Sequence, residues 1–476
     1  LDTYRYDIVI IGGGSGGYAA ARTARELGAS VAIVDKGPLG GLCILEGCMP
    51  SKTLLATSDL LQEIREGQIL GVSAGVPTVD MQRVIERKRV VIEGFASYRR
   101  EQLETFPIHM GVARFESPTQ LRVVPDAILG PEQLLEADRF IIATGSVISP
   151  VALPGLEQAH YFDSDDVLDC ARLPKSVIVL GGGYVAAELG QFYARCGVET
   201  TFLLRSKQLL TGEDADVGGA LTEYFRAEGI DVRTEVVLTH AEAHDGLKTI
   251  HYRCGDERGS VTAEEVFYAL GRVPNVAGLH LERAGVDVHP ISGIGVGFDM
   301  RTSNPKIFAV GDVNGTYPLV HVAIYQGEVA ARNAVNGTQE LADYRLQKTH
   351  TVFCDPQVAV TGETEKDLVA AGTPYLVASY PFADHGKAVA VNKTKGFVKI
   401  IASPANGLIL GAAVIGPHAS ELIHEMIVAM HYNATVEDFM RIPHLHPTLA
   451  EIWTYPAEEI AMMRASVADE PVAATG

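Results

Sequence analysis

A chain of 476 residues exceeds what one hydrophobic core usually supports, so three or four domains are expected. With 47% hydrophobic and 21% charged residues and no apolar run as long as a membrane helix, the composition points to a soluble, cytoplasmic globular protein without a membrane partner. A net charge of -20 argues against nucleic acid or anionic membrane as partner, since both require a basic surface.

The first apolar stretch, 8–11, lacks a basic flank and runs into glycines, so it reads as a strand and not as a secretory signal. It leads into Gly12-Gly-Gly14-Ser-Gly-Gly17, which opens a helix expected over 18–27, and the next strand ends at Asp35. Strand, glycine loop, helix and acid together form the dinucleotide-binding fingerprint: the glycines permit a tight turn and close approach to a pyrophosphate, and the carboxylate can bond a ribose hydroxyl. A glycine-rich turn without ligand would not require all of these parts.

Next comes Gly41-Leu-Cys43-Ile-Leu-Glu-Gly-Cys48-Met-Pro-Ser-Lys52, followed by a helical pattern. Two thiols near a helix N-terminus have their thiolates stabilised by the dipole, as disulfide exchange requires. Zinc is the competing reading, but no second cysteine pair completes a tetrahedron, and no metal site is expected. The other cysteines, Cys170, Cys196, Cys254 and Cys354, stand alone and are expected to be buried filler.

Proline and glycine at 150–155 mark a boundary, after which Ser176-Val-Ile-Val-Leu-Gly181-Gly-Gly183-Tyr184-Val-Ala186 repeats the fingerprint. The strand that follows, expected over 200–204, ends without a carboxylate and leads into Arg205, with Lys207 nearby. A guanidinium there matches a 2′-phosphate, favouring NADPH over NADH; the alternative is a solvated surface cation. A further break follows Asn275. Beyond about 347 the strand-like run 396–401 and a helix expected over 419–432 indicate an α+β domain, with disorder expected from about Ala465. The expected fold is α/β: two Rossmann-like dinucleotide-binding domains (1–150 and 151–275), a central domain (276–345) and a C-terminal α+β interface domain (346–476).

The segment 41–52 resembles the redox-active motif of the class I pyridine nucleotide-disulfide oxidoreductases, the family of dihydrolipoamide dehydrogenase, glutathione reductase and mercuric reductase, and the resemblance runs through nearly the whole chain. It implies FAD in the first glycine crevice (Gly12, Gly14, Gly17, Asp35) and a nicotinamide dinucleotide in the second (Gly181, Gly183, Tyr184, Arg205, Lys207). It implies that Cys43 is the interchange thiol, that Cys48 contacts the flavin, and that Lys52 and Glu188 pair beside flavin N5, with Tyr184 covering the isoalloxazine. Phe308-Ala-Val-Gly311-Asp312 is similar to a second flavin-contacting segment, with Asp312 on the ribityl chain. Ile141-Ile-Ala-Thr144-Gly145 and Ala269-Leu-Gly271-Arg272 are similar to the junction strands. In His444-Leu-His446-Pro-Thr-Leu-Ala-Glu451, the resemblance makes His446 the catalytic base and Glu451 its partner, supplied across a homodimer interface, and leaves His444 as an exposed loop histidine.

As substrate the resemblance implies a small disulfide or dithiol. The His-Leu-His-Pro-Thr segment and His321 favour a dihydrolipoamide dehydrogenase-like enzyme, with a lipoyl group as the expected partner, whereas Arg205 is more like glutathione or mercuric reductase, and Thr211 sits where those carry a second arginine. Mercury reduction ranks below a glutathione-type reductase, because no cysteine follows Glu451 and His446 stands where that family has tyrosine. Two other classes fit the same motifs: a scaffold subunit of a lipoyl multienzyme complex, and a flavin oxidase. Asp35 is shorter than the glutamate usual for the FAD ribose, and Trp453 and Tyr455 in the 452–476 extension are expected to pack at the dimer seam rather than to reshape the disulfide pocket.

Overall fold

The structure, a computed structural model, describes residues 2–125 and 130–468. It divides into two compact units, one of Leu1–Leu54, Gln82–Pro150 and Gly271–Asp343, the other of Leu55–Met81, Val151–Leu270 and Tyr344–Gly476.

The first unit is built on a seven-stranded sheet. Its centre is the strand Asp2–Ile11, parallel to Val31–Asp35 on one side and Gln133–Ile142 on the other. Ile8, Val9, Ile10 and Ile11 are all buried, as an unbroken apolar run must be when both faces of a parallel strand are covered. The strand Ile307–Ala309 pairs parallel with Gln133–Ile142 although far from it in sequence, and so brings the Gly311–Asn314 turn to the carboxyl edge of this sheet.

The first helix runs over Ser15–Glu26, three residues earlier than expected, so the last two glycines of the loop are already helical. Packing explains the difference. A Cβ on Gly17 would lie 1.9 Å from the Gly12 carbonyl oxygen, and one on Gly327 in the helix Val320–Asn336 would lie 2.3 Å from the Gly16 oxygen. Glycine at these positions lets the first helix approach both the loop beneath it and the second helix beside it.

In the second unit the strands Asp231–Arg233, Glu199–Leu203, Ser176–Leu180 and Glu265–Tyr268 form a parallel sheet in that order. A three-stranded antiparallel sheet follows over Val236–His244, Leu247–Cys254 and Glu257–Ala263. The C-terminal part is a five-stranded antiparallel sheet whose core joins Val398, Ile400 and Val414 to Leu422, Ile423 and Met426 of the helix Ala419–His431. Trp453 is fully buried in this core, its indole donating to the Leu422 carbonyl oxygen at 3.2 Å, and Tyr455 stacks on Tyr380 at 4.1 Å. The helix Thr454–Ala468 extends through residues 465–468, where disorder was expected, and the rest of that expectation lies outside the described residues. Cys354 is buried filler, but Cys254 is exposed at the end of its strand, contrary to expectation, because the antiparallel sheet leaves that edge to solvent.

Candidate active site

Three groups of predicted residues take shape, two crevices and one histidine pair. In the first crevice Gly12 has φ +104°, and a Cβ there would lie 2.3 Å from the Ala143 carbonyl oxygen, so only glycine makes this turn. Gly14 caps the helix without a side chain, which leaves the first amides of Ser15–Glu26 available to an anion. Both carboxylate oxygens of Asp35 accept backbone amides, Oδ2 from Gly13 and Oδ1 from Gly37, each at 2.7 Å. The acid therefore braces the loop while keeping lone pairs for a ribose. Thr144 donates to the Asn275 carbonyl oxygen at 2.7 Å, and the Asn275 amide donates to the Gly145 oxygen at 2.9 Å. Asp312 accepts from the Ser146 hydroxyl at 2.8 Å, and Arg272 in turn donates to Ser146 at 3.0 Å. This Arg272–Ser146–Asp312 chain was not foreseen; its members are far apart in sequence.

The cysteines sit against the same crevice. A Cβ on Gly41 would come within 2.7 Å of Gly14 Cα, so the backbone entering the cysteine segment touches the glycine loop. The short helix Leu42–Leu45 carries Cys43, and Cys48 begins the helix Cys48–Glu66, which also carries Lys52. Cys43 is half-buried and Cys48 exposed. The Cys43 thiol hydrogen-bonds to Cys48, which together with burial holds its pKa far above that of an ordinary thiol, while the Cys48 backbone amide and Lys52 pull the other way.

The second crevice repeats the first in its own sheet. Gly181 has φ +113°, with a virtual Cβ 2.5 Å from the Ala269 oxygen, and Gly183 caps the helix Tyr184–Arg195 without a side chain. Gly271 turns the chain at φ +107° into Arg272–Pro274, which pairs antiparallel with Ser146–Ile148 in a separate two-stranded sheet of the first unit. Arg205 and Lys207 are exposed, and neither takes a hydrogen bond or ion pair among the described residues. Tyr184 is held by two residues that the sequence reading did not single out. Its hydroxyl donates to Glu213 at 3.0 Å, its ring stacks on His350 at 5.3 Å, and His350 lies 2.7 Å from the same Glu213 oxygen. Burial and the Glu213 charge push the Tyr184 phenol above its usual pKa. Glu188 is buried and accepts the Phe353 amide at 2.9 Å.

His446 Nδ1 lies 3.0 Å from Glu451 Oε2, with the imidazole 79% exposed. The expectation for His444 is overturned. Its side chain is the sequestered one, packed on Phe439 and bonded to Glu425 at 2.7 Å, because Glu425 on the helix Ala419–His431 reaches it. A third histidine, His385, is fully buried with Nε2 3.4 Å from Glu451 Oε1. Nothing in its sequence neighbourhood marked it.

Glycines where a Cβ would collide and uncapped helix amides fit a dinucleotide in each crevice, and the first adds a braced acid and has the redox-capable thiols beside it. The family model "Pyridine nucleotide-disulphide oxidoreductase" matches residues 6–327, and its dimerisation domain matches 349–457. The chain belongs to that family: it is an FAD-dependent NAD(P)H disulfide oxidoreductase, and its C-terminal part makes it a homodimer. It is similar to the dihydrolipoyl dehydrogenase of Geobacillus stearothermophilus, 34% identical over 459 residues covering 96% of each chain. The dihydrolipoyl dehydrogenase of Bacillus subtilis (strain 168) is 33% identical over 460 residues, again 96% of each. In fold it resembles the HOCl-induced flavoprotein disulfide reductase RclA from Escherichia coli, solved as a Cu(II) complex, with TM-score 0.84 at 24% identity over 98% of this chain and 100% of that one. Among the described residues no helix is long and apolar enough to cross a membrane.

Proposed function

We propose that this enzyme moves electrons between NADPH and a small dithiol or disulfide of the lipoyl class through the Cys43–Cys48 couple. The observation that carries the reading is the meeting of the cysteine segment with the first glycine loop, where a Cβ on Gly41 would come within 2.7 Å of Gly14 Cα. Four parts are proposed along the chain: FAD-binding 1–150, nucleotide-binding 151–275, central 276–345 and interface 346–476. Gly12, Gly14, Gly17, Asp35, Thr144, Gly145, Gly311 and Asp312 would hold FAD, with Lys52 and Glu188 at its reactive edge. Bound there, FAD supplies a two-electron relay between nicotinamide and the cysteine couple.

The chain's own residues account for the thiol chemistry. Cys43 gives its hydrogen bond to Cys48 and is held protonated, so it needs a base before it can attack. His446, oriented by Glu451, is that base, supplied by the second copy in the homodimer. Cys43 Sγ then attacks one sulfur of the substrate disulfide, and the departing sulfur takes the proton from His446. Cys48 attacks Cys43 Sγ, releasing the substrate as dithiol and closing the Cys43–Cys48 disulfide. Run backwards, the same steps oxidise a dithiol. Preference for NADPH rests on Arg205 and Lys207, exposed and unengaged after a strand that ends without an acid.

The test is to add NADPH or NADH anaerobically to the holoenzyme and count thiols. Two new thiols per chain should appear, faster with NADPH, and none in Cys43→Ser, where the couple cannot form. Arg205→Glu should reverse the nucleotide preference. Equal rates with both nucleotides would refute the NADPH assignment, and full disulfide reductase activity in Cys43→Ser would refute the mechanism.

A further inference from the structure

The three-stranded antiparallel sheet of the second unit carries donors that no step above uses. Along Val236–His244 the side chains alternate: Ala241 is buried, so His240, Glu242 and His244, two apart, share the opposite face. Strand register then sets His240 directly across from His251 on Leu247–Cys254. The two imidazoles lie parallel, 4.1 Å between centroids and 4° between planes, and His251 Nε2 is 2.9 Å from Glu242 Oε1. One donor atom from each of His240, Glu242 and His251 lies within 4.8 Å of the other two. Three donors drawn from two paired strands are thus gathered at one point.

We propose that His240, Glu242 and His251 form a surface site for a borderline divalent transition cation of the zinc type, separate from the cysteine couple. The donor set decides the class. Two imidazoles and a carboxylate suit zinc, nickel or copper(II); magnesium and calcium prefer oxygen alone, and soft ions prefer thiolate. Zinc bonds of about 2.0–2.2 Å require donors spaced at roughly 3.3 Å, a contraction that exposed side chains make by small rotamer changes. The backbone need not move, because the ladder already holds His240 opposite His251 and Glu242 on the same face. His244, exposed and 3.0 Å from Asp245, sits one step further along that face as a candidate fourth donor.

The experiment is calorimetric titration of zinc chloride into the oxidised dimeric holoenzyme, with the Cys43–Cys48 disulfide closed so that its thiolates do not compete. Saturable uptake is expected at this site, weakened at least tenfold in both His240→Ala and His251→Ala. Because His240 is exposed, His251 is only half-buried and both lie outside the catalytic set, disulfide reductase activity should be unchanged in both variants. Cys254→Ser, at the exposed end of the same strand, should bind as wild type does. The proposal fails if wild type takes up no zinc saturably, if both histidine variants titrate like wild type, or if only Cys254→Ser loses binding.

Discussion

Glu451 faces two imidazoles in unlike surroundings, exposed His446 on one oxygen and buried His385 on the other. As partner of the proposed base, Glu451 orients His446 and stabilises its cation, a contribution that disappears in Glu451→Gln. Turnover should fall about 10–100-fold with KM little changed, at the lower end of what acid–base catalysis supplies. Unchanged kcat across the pH range would remove the pair from the mechanism. His385 makes a second prediction. Burial depresses its pKa, opposed by Glu451 and abetted by His446, and Tyr455 is the other titratable ring against it. A depressed imidazole binds fewer protons folded than unfolded, so its contribution to stability is complete above the unfolded value of about 6.5 and is lost as pH falls through the folded value. The denaturation midpoint should therefore fall on acidification below about pH 6.5, and His385→Asn should flatten that slope. An identical slope in the variant would show that other groups carry it.

At the scale of elements, the helices Ser15–Glu26 and Val320–Asn336 approach closely through glycine. The obstacle to a larger residue at 327 is the Gly16 carbonyl oxygen, which is backbone and cannot turn aside as a side chain would. Gly327→Ala should then cost roughly 1–3 kcal/mol, the usual penalty of overpacking, and loosen FAD because Gly16 belongs to the cofactor loop. A thermal midpoint and flavin content equal to wild type would contradict this. The two glycine loops, their helices and the cysteine segment were legible because each lies within a few dozen residues and obeys a local period. Boundaries were less so: the first helix starts at Ser15, since the steric demand on Gly17 comes from contact with Gly12, which no helical pattern records.

At the scale of the molecule, buried ion networks tie distant segments of the second unit together. Arg195, with its side chain 1% exposed, meets Glu228 at 2.6 Å, Asp355 at 2.7 Å and Asp59 at 3.0 Å. Removing the cation leaves the Glu228 carboxylate, 10% exposed, without its partner, and a buried pair broken on one side typically costs about 3–5 kcal/mol. Arg195→Leu should lower the urea midpoint accordingly, followed by the fluorescence of Trp453, the only tryptophan and a core residue of the same unit. A midpoint unchanged from wild type would show that the network is dispensable. Lys399, buried among Asp214, Asp216 and Glu365, joins the segment 214–216 to the C-terminal sheet in the same way.

The amino-acid order alone determined the chemistry that depends on near neighbours: glycine crevices, a dithiol beside a helix start, and a histidine five residues before its acid. Local backbone geometry forces such groups together wherever the rest of the chain goes. Tertiary structure decided which distant residues meet them. Asp312 reaches Ser146 across 166 positions, and Glu213 reaches His350 across 137. Likewise His385 comes to Glu451, and His240 to His251, only through packing and strand register. Pairings of this kind are chosen by burial and sheet order over the whole fold, and no short stretch of sequence encodes them.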